Sequence, residues 1–256
     1  MKPLIVGNWK MNPSSLAEAK RLFNSIKKGI KKNKNTDIVI CPPFPYLSSL
    51  GAFTFAKGFG GLRFGSQDCF WEEKGAFTGE VSPLMLKSLG CKYVIIGHSE
   101  RRNYFGETDE IINKKIKAAL KAKLSPIFCV GESWEEREKG ETQQVLKSQI
   151  EKGLQGVKKN DIRNLVLAYE PVWAVGTGKA CSPSEAQTMG LYSKKIIARL
   201  FSPLLAKKIP VIYGGSVNSQ NARDYLMGVG IDGLLPGAAS LNAREFVAIV
   251  KSVSKG

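Results

Sequence analysis

The chain has 256 residues, 43% of them hydrophobic, enough to bury a sizeable core in one large domain or two small ones. No apolar run approaches the ~20 residues of a membrane span, and the N-terminal run Leu4-Ile5-Val6 is too short for a signal peptide. Net charge is +16, yet its densest cluster (Lys27, Lys28, Lys31, Lys32, Lys34) ends a helical pattern and carries no interleaved aromatics, so neither a nucleic acid nor a membrane is expected as partner.

Short β-branched runs recur along the chain at residues 4–6, 38–40, 62–64 (the weakest), 93–96, 127–130, 165–169, 211–213 and 231–235. They are continuous rather than alternating, as in strands covered on both faces. Amphipathic helices separate them. Leu16, Ala19, Phe23, Ile26 and Ile30 keep the 3.6-residue period, as do Ile112, Ile116, Ala119 and Leu120. Ser82-Pro83 marks a helix start. Ser182-Pro183-Ser184-Glu185 is a capping box with proline at the first helical position, ahead of the seam Ala186, Met189, Ser193, Ile196, Leu200. Phe246, Ile249, Val250 and Val253 form the last seam. Eight such units without a linker-like composition shift predict one (β/α)8 barrel, eight parallel strands surrounded by helices, as a single domain over 1–256. The alternative, an open doubly wound sheet, usually carries a G-x-G-x-x-G turn or a P-loop, and neither is present. The five cysteines are widely spaced with no C-x-x-C pair, as expected of free thiols in a reducing cytosol.

In such a barrel the working groups lie just past the C-terminal ends of the strands. Strand 1 runs into Gly7-Asn8-Trp9-Lys10, strand 4 into Gly97-His98-Ser99-Glu100-Arg101-Arg102, and strand 6 into Glu170. Strands 7 and 8 end in Tyr213-Gly214-Gly215-Ser216 and Pro236-Gly237-Ala238-Ala239-Ser240, two small-residue loops where backbone N–H groups can cradle a phosphate. Glu170 is followed by Pro171 and by an apolar, glycine-rich loop, Val172-Trp173-Ala174-Val175-Gly176-Thr177-Gly178-Lys179. Surface loops are usually polar, so this one reads as a lid that empties the site of water over a proton-abstracting carboxylate. His98 is the only histidine, and one histidine without a carboxylate cluster makes a poor metal site. Glu100 with Arg101 and Arg102 reads as a structural ion-pair cluster. A base, an imidazole, an ammonium and a phosphate nest suit proton transfer beside a carbonyl on a small phosphorylated sugar. Another phosphosugar isomerase or epimerase, or a catalytically silent barrel binding polyanions, stands as the alternative.

Across nearly its whole length the sequence resembles the triosephosphate isomerase family, whose barrel is the TIM barrel. The resemblance rests on Gly7-Asn8-Trp9-Lys10-Met11-Asn12, Gly75-Ala76-Phe77-Thr78-Gly79-Glu80, the segment 97–102, Cys129-Val130-Gly131-Glu132, the segment 169–179 and Tyr213-Gly214-Gly215-Ser216-Val217. It implies Glu170 as the base, His98 as the acid/base at the carbonyl, Lys10 as electrostatic stabiliser and Asn8 as an orienting amide. The phosphate would meet Gly176, Ser216, Gly237 and Ala238. Val172-Trp173 and Lys179-Ala180-Cys181 would be the lid's hinges. The resemblance also implies a cytoplasmic enzyme of glycolysis and gluconeogenesis without cofactor, and a homodimer with Gln67, Thr78 and Glu80 at its interface. Two departures from the family pattern stand out. Pro236-Gly237-Ala238 replaces the usual Val-Gly-Gly, so a positive φ at Ala238 would be strained. Lys-Ala-Cys replaces Lys-Thr-Ala at the C-terminal hinge.

Overall fold

The structure is a computed structural model that describes residues 1–31, 33–51, 62–176 and 180–254. Eight parallel strands close into a barrel in sequence order: β1 (Leu4–Asn8), β2 (Asp37–Cys41), β3 (Leu62–Ser66), β4 (Tyr93–Ile96), β5 (Ser125–Val130), β6 (Val166–Tyr169), β7 (Val211–Tyr213) and β8 (Gly233–Leu234). The ring closes where Leu4 pairs with Gly233 and Ile5 with Leu234. Helices cover the outside. The two-residue alternation of the strands divides the core in two. Ile5, Ile38, Ile40, Phe128, Leu167 and Val211 face outward and pack with helix residues such as Phe23 and Ile112. Val6, Val39, Ile95, Ile127, Ala168 and Ile212 fill the barrel interior, which is therefore packed and not a pore.

The sequence-level strands all form, with ends shifted by a residue or two, and 62–64 extends to Ser66. The last strand is shorter than 231–235. Gly233 packs so close to β1 that an added Cβ would sit 2.1 Å from the Leu4 carbonyl oxygen. Asp232, just before it, still bonds through its backbone to Val211 and Leu4 (2.6 and 3.1 Å), and its carboxylate accepts the Val211 N–H (2.9 Å) and Lys194 (2.7 Å). The capping box at Ser182 and Glu185 is present, and Ser82 caps the helix that Pro83 begins. On the helix Pro183–Leu200 the buried line runs Ala186, Gly190, Ser193, Ile196, Ile197. Leu200, expected in the seam, lies on the same face but is the helix's last residue and is exposed. All five cysteines are free and buried. No helix among the described residues is long and apolar enough to cross a membrane.

Candidate active site

Topology delivers the predicted residues to one mouth. A cavity of about 380 Å³ there is lined by Asn8, Lys10, His98, Gly176, Ser216, Gly237 and Ala238, among others. Lys10 holds a left-handed backbone conformation (φ 51°), which is unfavourable for a residue with a Cβ. Two side chains hold it there. Asn8 Oδ1 accepts the Lys10 N–H (3.0 Å), and the Gln67 amide donates to the Lys10 and Cys41 carbonyls (2.7 and 2.9 Å). The Lys10 ammonium then reaches Glu100 Oε1 at 2.5 Å. Sequence reasoning placed Glu100 with the two arginines, and the structure separates them. Arg101 and Arg102 turn away to Glu107 and Asp109, as a structural pair should, while Glu100 faces the mouth.

His98 precedes the short helix Ser99–Phe105, and its Nδ1 accepts the backbone N–H of Glu100 (3.2 Å). That acceptor nitrogen carries no proton, so the ring is neutral and bears its hydrogen on Nε2. Nε2 lies 3.7 Å from Glu170 Oε1. Glu170 is only 2% exposed; its Oε2 accepts the Ser99 N–H (3.3 Å), whereas Oε1 has no hydrogen-bond partner. A buried carboxylate oxygen left without a donor is costly, and a site that keeps one reserves it for a ligand. Two glycines make room for this arrangement. An added Cβ at Gly214 would come within 2.6 Å of Glu170 Cγ, and one at Gly215 within 2.1 Å of Tyr213 Oη.

The strain expected at Ala238 is absent. Ala238 opens a 3-10 turn (Ala238–Leu241) and does not have positive φ, so the missing second glycine leaves the loop's backbone unstrained. Pro236 contributes through its carbonyl, which accepts the Asn8 N–H (3.0 Å).

The two ends of the apolar loop are anchored differently. At the first, Glu132 is fully buried and accepts from Trp173 Nε1 (2.8 Å) and Tyr169 Oη (3.2 Å). Burial raises the Glu132 pKa, opposed by these same hydrogen bonds. Arg137 stacks on the Trp173 ring, 4.4 Å from its centroid. At the second, Cys181 is held by Tyr213 and Tyr225. Ser216 Oγ reaches back to the Ala174 carbonyl (2.9 Å). The tip residues Thr177, Gly178 and Lys179 lie outside the described residues, as does Lys32. Thr78 and Glu80 are exposed beside Phe77, and Gln67 is half-buried beneath Lys10. Ser99, Gln67 and Glu132 went unrecognised as parts of this site. Ser99 acts through its backbone and Gln67 through two carbonyls, and neither leaves a sequence signature; Glu132, one residue past Gly131 at the end of β5, was legible by position. Among the described residues no group of His, Cys, Asp or Glu is arranged to hold a metal.

The sequence is similar to known proteins over nearly its whole length. Residues 3–253 match the family model described as triosephosphate isomerase. The triosephosphate isomerase of Dictyoglomus turgidum is 46% identical over 251 residues, covering 98% of this chain and 99% of that protein. Those of Carboxydothermus hydrogenoformans and Geobacter metallireducens are each 47% identical, over 98% of both chains and 97% of both chains respectively. The chain belongs to the triosephosphate isomerase family.

Proposed function

We propose that this protein interconverts dihydroxyacetone phosphate and D-glyceraldehyde 3-phosphate through an enediolate. The observation that carries the reading is the unpartnered, buried Oε1 of Glu170 facing the N–H edge of a neutral His98. Glu170 removes a proton from the carbon next to the carbonyl, and the electron pair of that C–H bond moves onto the carbonyl oxygen. His98 Nε2–H donates to this oxygen and, as the enediol forms, takes a proton from the neighbouring hydroxyl. The Lys10 ammonium stabilises the negative charge, with Asn8 orienting the oxygens. Glu170 then returns its proton to the second carbon, so atoms and charge balance without a cofactor. Backbone N–H groups of Gly176, Ser216, Gly237 and Ala238 grip the phosphate, which fixes the reacting carbons against Glu170.

From the same family membership we infer one catalytic domain over 1–256, a cytoplasmic place in glycolysis and gluconeogenesis, and a homodimer with Gln67, Thr78 and Glu80 at the interface. The exposed Phe77, Met11 and Met85 favour a covered face in that region. The reading is tested by a coupled isomerase assay on dihydroxyacetone phosphate without added metal, run in deuterated water. Turnover with deuterium incorporated at C2 of the product is expected. Absence of turnover with a folded protein would overturn the assignment.

A further inference from the structure

The C-terminal anchor of the lid contains a side chain that the reaction scheme does not use. Cys181 presents a complete peptide edge to two tyrosines. Its N–H donates to Tyr213 Oη (3.1 Å), and its carbonyl accepts from Tyr225 Oη at 2.6 Å. The two rings are fully buried and stacked, with centroids 4.2 Å apart and planes 18° from parallel. The hinge peptide is thus held at both ends, its N–H by Tyr213 and its carbonyl by Tyr225. The Tyr213 hydroxyl also fills the space a Cβ on Gly215 would take, at 2.1 Å, so the same atom touches the small-residue loop proposed to hold the phosphate.

We propose that Tyr225 is a positioning residue of the lid's C-terminal hinge: by holding the Cys181 carbonyl it fixes the last hinge peptide in register with the phosphate cradle that Tyr213 touches. Tyr225 touches no reacting atom. It belongs to the helix Ala222–Leu226, behind the hinge, and acts only through Cys181 and Tyr213. Without its hydroxyl the hinge carbonyl, on a residue only 1% exposed, loses its hydrogen-bond donor and can turn in either direction. The hinge then holds its place beside the phosphate cradle less firmly.

This inference rests on the isomerase reading above, and one experiment separates their failures. Tyr225→Phe keeps the ring stack and removes one oxygen. Wild type and variant are compared on D-glyceraldehyde 3-phosphate and on D-glyceraldehyde, the same triose without the group the lid grips. For the phosphorylated substrate kcat/KM is expected to fall about 3- to 10-fold, chiefly through KM, in line with the loss of one hydrogen bond to a buried carbonyl. For glyceraldehyde it is expected to stay unchanged. Both substrates are assayed on one preparation, so any loss of folded protein cancels from the ratio. Equal losses on the two substrates, or none on either, would overturn the positioning role while leaving the isomerase reading intact. Inactivity of the wild type itself would count against that reading instead.

Discussion

Two clusters of charge sit back to back at the end of β4, and they are built on opposite rules. One is the mouth: Lys10, Glu100, His98 and Glu170. The other lies behind it, where Lys115 contacts both oxygens of Asp68 (2.8 and 2.7 Å) and Glu107, while Arg101 reaches Glu107 (2.5 Å) and Asp68 (3.1 Å). Behind, two cations meet two carboxylates and the charges balance, with only Glu107 Oε2 lacking a hydrogen bond. At the mouth, Glu170 has no Lys or Arg within 4 Å among the described residues, and its neighbour His98 is neutral. A balanced buried cluster holds the fold in place. An unbalanced buried carboxylate is available to take a proton.

The sharpest way to break this contrast is to remove one charge from each. Glu170→Gln retains the shape and the Ser99 contact, so stability should change little, while kcat should fall on the order of 10²–10⁴-fold. A Gln variant that turns over like the wild type would mean the carboxylate is not the base. Lys115→Met should do the reverse. It leaves Asp68 and Glu107 buried with Arg101 alone, and a loss of about 3–5 kcal/mol in urea unfolding is expected. Turnover per folded molecule should be preserved, because none of these groups lines the mouth. If activity collapsed while stability held, the two clusters would not be separable.

Titration gives a smaller and more specific test. Burial raises Asp68 to about 6, held back by Lys115 and Arg101 and helped by Glu107. Its ordinary value is 3.8. Between those pH values the folded chain binds a proton that the unfolded chain does not. Stability therefore falls as pH rises through this window, and the full cost, about 3 kcal/mol, is present above pH 6. Asp68→Asn removes this titration. Plotted against pH, the difference in unfolding free energy between wild type and variant should shift in favour of the wild type as pH drops from 7 towards 4. A difference that stays flat over that range would show that burial does not raise Asp68 in the folded chain.

Much of this contrast could be read from the sequence, and the part that could not has a physical reason. The barrel was legible because eight continuous apolar runs alternate with helical seams, and the mouth because strand ends carry Lys10, His98 and Glu170. The strand-end rule places residues by topology alone. It does not say which way a side chain turns. Glu100, Arg101 and Arg102 are consecutive in the chain, yet a helical turn sends the first to Lys10 and the others to the far side. The partners that matter for Lys10 and Glu170 are backbone groups and an amide, Ser99 N–H and Gln67, which have no charge pattern to announce them. Leu200 shows the same limit in a helix: it keeps the period of the buried face, yet as the last residue of the helix it is exposed.

The exposed pair within the mouth, Lys10 and Glu100, should give the smallest effect of all. At 2.5 Å it is shorter than three of the contacts between Lys115, Arg101 and Asp68, and by distance alone it would rank among the strong interactions. Exposure decides otherwise. The two side chains are 26% and 39% exposed, against 4% and 6% for Lys115 and Asp68. Water screens the pair, and the ammonium and carboxylate keep most of their hydration when separated. Glu100→Gln is therefore expected to cost less than about 1 kcal/mol in unfolding free energy, several-fold below Lys115→Met. Its stability effect should shrink further in high salt, since exposed pairs are screened and buried ones are not. A loss as large as that of Lys115→Met, insensitive to salt, would place Glu100 in the balanced cluster and return it to the arginines beside it in the sequence.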